Sequence, residues 1–224
     1  MNDVWFLYGS LVVSLVIMRI PYVGRAFRVL NTLVHESGHA LAAILMSGKV
    51  VRVELFADLS GTTHTVNSGK IASFVVGFTG YLFASAFAWF SCLLVHASMG
   101  RWLIVMLMAM ALINLVLYVR NGFGMLWLAM FITGCGLVLS KAGIEWQQFF
   151  AIVLMVLLLA DSVMSAIDLT VISFRTSKKA GDASLLSKIT GIPAQLFALV
   201  FVAIALLATV DAILRFFPSL NGLF

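Results

Sequence analysis

Long apolar runs alternate with short polar breaks along this chain. The runs cover residues 4–18, 30–46, 71–97, 102–119, 123–139, 149–174 and 192–217. Most are close to the roughly 20 residues that a helix needs to cross a bilayer. Helix is the expected conformation, because hydrocarbon offers no partner to an unpaired backbone group. A membrane β-barrel would instead show ten-residue segments of strict alternation, which these runs lack. The pattern predicts an all-α integral membrane protein of six or seven transmembrane helices, forming one polytopic domain over residues 1–224. Arg101, Arg120 and Lys141 with Glu145 mark the short turns. The first run follows Met-Asn-Asp, which is not a positively charged leader, so it reads as a retained helix.

Two breaks are longer and carry patterns of their own. In residues 47–70, Val51, Val53 and Leu55 alternate with Arg52, Glu54 and Phe56. Asp58 to Gly61 supplies turn chemistry, and residues 62–66 read as a return strand. A β-hairpin beside the membrane is therefore expected over about residues 49–67. The second break, residues 173–190, is a polar, basic loop with Asp182 just ahead of a short apolar-periodic stretch.

Composition agrees with the membrane reading. Hydrophobic residues make up 62% of the 224 and charged residues 10%, against about 45–50% and about 25% in soluble domains. The net charge is +5. The 14 Lys and Arg fall mostly between apolar runs and form no aromatic-interleaved patch, which excludes a nucleic-acid partner. Cys92 and Cys135 lie inside apolar runs and read as small buried hydrophobes. Trp5, Trp102 and Trp146 sit near segment ends, as in an aromatic belt.

One apolar run carries chemistry. The helix expected over about residues 29–47 contains H-E-S-G-H at His35–His39. Four-residue spacing puts the two imidazoles on one helix face, close enough to share a metal ion. Zinc accepts such nitrogen ligands in a tetrahedron, so a third protein ligand is needed and one position is left for water. Glu36 neighbours the first histidine and is placed to take a proton from that water as general base. Ionisable residues inside a membrane helix are costly, which makes this cluster a functional site by default. Gly38 and Ala40 are small and allow another helix to approach closely.

These residues resemble the site-2-protease superfamily of intramembrane zinc metalloproteases. The H-E-S-G-H-A-L-A run, the following G-K-V-V-R-V-E-L and the later S-G-T-T carry the resemblance, which is narrowest to the compact bacterial-type branch without a PDZ domain. It covers residues 31–80, and more loosely 113–124 and 168–193. It implies zinc ligation by His35 and His39, water activation by Glu36, a membrane-associated β-loop at residues 50–66, and membrane protein or peptide substrates. It also implies a multi-pass location in a bacterial cytoplasmic membrane. Relatives draw their third ligand from an N-x-x-P…L-D-G segment. Here the counterpart is residues 113–124, where Asn114 matches but the prolines are missing and Asn121-Gly122 replaces the aspartate. The run S-A-I-D-L…G-D-A-S-L-L, with Asp168 and Asp182, looks like a feature of the compact branch. Asp182 is the first candidate and Asp168 the second, with Asn121 a weak ligand. Asp182 is equally well suited to capping a helix, and Asp161 with Asp168 fits an inward polar stripe.

With seven helices, the breaks at 47–70, near 120 and at 173–190 share one side. They hold eight basic residues against five opposite, which favours the hairpin side as cytoplasmic. His64 and His96 read as surface or interface histidines. The expected function is an intramembrane zinc endopeptidase; the alternatives are a metal-binding scaffold without protease activity, and a transporter using the same three residues as an ion path.

Overall fold

The computed structural model of the chain describes residues 9–10, 12–14, 16–17, 20 and 23–216. The helix expected over residues 4–18 lies largely outside the described residues; those described within it are helical. From there the order is α1 (Val23–Leu45), β1 (Lys49–Leu55), β2 (Gly61–Val66), α2 (Gly69–His96) and α3 (Gly100–Ile113). A π-helical turn, Asn114–Tyr118, extends α3. Then come α4 (Gly122–Lys141), α5 (Ile144–Arg175), the short α6 (Gly181–Thr190) and α7 (Ala194–Phe216).

Among the described residues, five helical segments are long and apolar enough to cross a membrane, against the six or seven expected: α2, α3 with its π turn, α4, α5 and α7. The helix α1 is not among them, because Arg25, Arg28, His35, Glu36 and His39 dilute its apolar character. Its 23 residues make a rod about 34 Å long at 1.5 Å per residue. Cys92 and Cys135 are buried among core side chains, as expected.

At the centre, α1 packs along α2, and α2 in turn packs on α5 and α7. Gly38 explains the close approach of α1 to α2: a β-carbon there would lie 2.7 Å from the Phe83 β-carbon. The N-terminal half of α1 meets α5 through polar groups. The Arg28 guanidinium pairs with the Asp161 carboxylate and lies 3.7 Å from Asp168. Asn31 donates to the Ser165 hydroxyl at 3.4 Å. Both aspartates face the same cation, but the inward stripe expected of them holds only for Asp161, since the Asp168 side chain is 67% exposed. Removing one member of a buried ion pair leaves the other charge uncompensated. Arg28→Leu is expected to destabilise the fold by about 3 kcal/mol, and Arg28→Leu with Asp161→Leu by much less. Thermal melts of the detergent-solubilised single and double variants check this.

The hairpin forms where the alternation places it, with one correction. Arg52 pairs with His64 and Glu54 with Thr62, but between Val50 and Arg52 the register slips. Val51 is the extra residue of this bulge and is 53% exposed, while Val50, Val53 and Leu55 are buried. A bulge leaves one residue unpaired and breaks the two-residue period, so Val51 does not share the inward face expected for it. Burying Val53 and Leu55 contributes about 1.5–3 kcal/mol each and anchors the hairpin on the bundle. At the tip, Asp58 accepts bonds from the Ser60 amide at 3.1 Å and its hydroxyl at 2.6 Å. Those bonds hold the Asp58 carboxyl below its ordinary value.

The outer edge of β1 is also covered. Val53 bridges to Val119. Asn121 closes the rest: its Oδ1 accepts from the Leu55 amide at 3.2 Å and its Nδ2 donates to the Leu55 carbonyl at 2.5 Å. A primary amide that engages both backbone groups of one residue does the work of a strand neighbour.

Candidate metal centre

Two histidines and one aspartate converge where α1, α2 and α6 meet. The Nε2 atoms of His35 and His39 are 3.0 Å apart. Oδ2 of Asp182 lies 3.1 Å from the first and 3.2 Å from the second. These three atoms form a nearly equilateral triangle. A tetrahedral site with ligands at about 2.0–2.1 Å separates its donor atoms by about 3.3 Å, so the triangle has the size of one face of such a site. Among the described residues, His35, His39 and Asp182 form a group that could hold a metal ion.

The surroundings prepare the donors. His39 is 6% exposed, and its Nδ1 lies 2.6 Å from the Val76 carbonyl of α2. That carbonyl can only accept, so Nδ1 carries a proton and Nε2 is the nitrogen that faces the cluster. The His35 ring meets Tyr81 edge-on at 4.6 Å, and Tyr81 stacks on Phe201 of α7. Burial alone would raise the Asp182 carboxyl; the His39 and His35 imidazoles outweigh it and hold the carboxyl well below its ordinary range. Space comes from Gly80 of α2. A β-carbon there would lie 2.5 Å from His39 Nε2 and 2.7 Å from His35 Cε1.

Glu36 is 4% exposed and lies under the hairpin. Its Oε2 accepts the Thr63 hydroxyl at 2.6 Å, and the same hydroxyl is 3.2 Å from its backbone carbonyl. One turn earlier on α1, Thr32 donates to the Leu59 carbonyl at 2.9 Å. So the 32/36 face of α1 carries the hairpin while the 35/39 face carries the metal-capable group.

The other candidates are elsewhere. Asp168 is 67% exposed at its side chain and faces Arg28. Asn121 is engaged by Leu55. Asn114 donates from Nδ2 to the Ser37 hydroxyl and the Met110 carbonyl, both at 2.9 Å. Asp182 lies in the first turn of α6, but the cap position is Ala180 and no side-chain cap bond forms. His64 pairs with Glu54 at 3.1 Å on the hairpin surface, and His96 lies against Phe216. Sequence reasoning missed Gly80, Val76 and Thr63. The spacing of Gly77 and Gly80 is a trace of close packing on α2; the Val76 carbonyl and Thr63 leave none, since they act through contacts distant in sequence.

Fold and site together define a helical, multi-pass membrane protein with a two-histidine, one-carboxylate cluster beside a buried glutamate. The sequence profile of the Peptidase M50B-like family matches residues 8–212, and the chain belongs to that family. This is the site-2-protease family of metal-dependent membrane peptidases, so the resemblance read from the sequence holds. No curated protein and no solved structure matches the chain.

Proposed function

We propose that this protein is an intramembrane zinc endopeptidase, with His35, His39 and Asp182 as metal ligands and Glu36 as general base. The observation that carries the reading is the triangle of Nε2, Nε2 and Oδ2 atoms, assembled from α1 and the remote α6 at tetrahedral spacing. Two imidazoles and a carboxylate with a fourth position left for water are the donor set of hydrolytic zinc. When bound, the ion supplies a Lewis acid for the scissile carbonyl and lowers the pKa of water. The chain supplies the rest. The Glu36 carboxylate takes the proton of the attacking water and returns it to the leaving amide nitrogen. Val76 keeps the His39 proton on Nδ1.

The substrate class follows from the setting. A peptide bond that reaches Glu36 must come from a segment inside or at the edge of the bilayer, and it must be extended to be cut. Among the described residues β2 pairs only with β1, so its outer edge is open to an added strand. The α1 rod serves as a further intramembrane helix, its polar groups turned to α2, α5 and the hairpin. The basic residues around the hairpin, Lys49, Arg52 and Lys70 with Lys178, Lys179 and Lys188, favour a cytoplasmic hairpin side.

Metal content measured on detergent-purified protein tests the ligand set. Zinc at about one per chain is expected in wild type and in Asp168→Ala, and its loss in His39→Ala and Asp182→Ala. A full complement in Asp182→Ala would remove Asp182 from the site. A folded, metal-free wild type would defeat the peptidase reading altogether.

A further inference from the structure

The hairpin does more than border the site. Along β2 alternate side chains share a face, and Gly61 and Thr63 are the two that face Glu36. The Thr63 hydroxyl holds Oε2 at 2.6 Å. At Gly61 a β-carbon would lie 2.5 Å from Oε1 and 2.8 Å from Cγ of Glu36. One oxygen is therefore tethered by a hydroxyl, and the other is kept clear by a missing side chain. The tip of the hairpin is fixed on two sides. Thr32 holds the turn through the Leu59 carbonyl, and β1 is clamped on its far edge by Asn121.

A glutamate has three side-chain torsions, and a general base must be held in one of them to accept a proton along the productive line. A lone acceptor inside a membrane protein is also costly unless a donor meets it. We propose that Thr63 is a positioning residue for the Glu36 carboxylate, so that the docked hairpin sets the geometry of the base. Gly61 is its complement, leaving Oε1 free for the proton. The proposal rests on Glu36 being the general base.

The test uses the full chain in detergent, a synthetic peptide with one apolar span as substrate, and the variants Thr63→Val, Thr63→Ser and Glu36→Gln. Valine has nearly the shape of threonine and suits a strand, so the hairpin stays folded. Thr63→Val is expected to lower kcat on the order of 10²-fold, the cost of a misplaced catalytic group, with KM and bound metal unchanged. Thr63→Ser, which keeps the hydroxyl, restores most of it. The carboxylate infrared band that disappears in Glu36→Gln should shift in Thr63→Val and stay in place in Thr63→Ser. An unshifted band in Thr63→Val, wild-type kcat there, or a loss not rescued by serine overturns the proposal. Cleavage that survives in Glu36→Gln while the band still shifts defeats the general-base reading and leaves the contact standing.

Discussion

Glu36→Gln is expected to leave the metal bound and to remove cleavage. The substitution keeps the volume and the Thr63 hydroxyl's acceptor, but an amide cannot take a proton from water. Loss of a general base costs typically 10²–10⁴-fold in rate. In the proposed site the ligand atoms are those of His35, His39 and Asp182, so metal content is expected to stay at the wild-type level. Glu36 is 4% exposed, and the amide that replaces its carboxylate occupies the same place under the hairpin. Cleavage of a membrane-spanning peptide in reconstituted vesicles, beside metal analysis of the same preparation, reads both halves. Retained cleavage would mean that the proton goes elsewhere; lost metal would mean that Glu36 belongs to the ligand set.

The second large effect is expected from a residue with no functional group. In Gly80→Ala the new methyl carbon falls 2.5 Å from His39 Nε2, 2.6 Å from its Cε1 and 2.7 Å from His35 Cε1. One of the rings must turn, yet His39 is tied by Nδ1 to Val76 and His35 is wedged against Tyr81. The helix α2 cannot retreat either, because it is also packed on α5 and α7. Metal affinity is expected to drop on the order of 10²-fold, the upper range for disturbing groups that orient the ligands. Gly134→Ala is the control. It makes the same exchange on α4, where a β-carbon meets nothing within 4 Å, and should leave affinity unchanged. Competition with a chromophoric chelator measures both. Equal affinities in the two variants would show that Gly80 does not bound the site.

The long apolar helices were legible in the chain because apolar runs respond to the bilayer residue by residue, although five of them, not six or seven, qualify as spans among the described residues. The hairpin was legible for a similar reason: period-two alternation and a turn with Asp58 and Ser60 are local. So was the pairing of His35 with His39, since four-residue spacing on a helix fixes a common face without help from any other element. The bulge was not. Val51 continues the alternation on paper, and it is the pairing with β2 that expels it.

Where the sequence left a choice among Asp182, Asp168 and Asn121, only packing could separate them. Asp168 and Asp182 are both aspartates close to the same stretch of chain, but α5 turns the first toward Arg28 while α6 carries the second to the imidazoles. The same holds for Gly80 and Thr63, whose roles are distances to side chains dozens of residues away. Local periodicity determined which elements form and which helix bears the chemistry. The tertiary structure alone decided which remote groups meet that helix, because a contact between distant segments depends on how whole helices pack and on nothing written at either position.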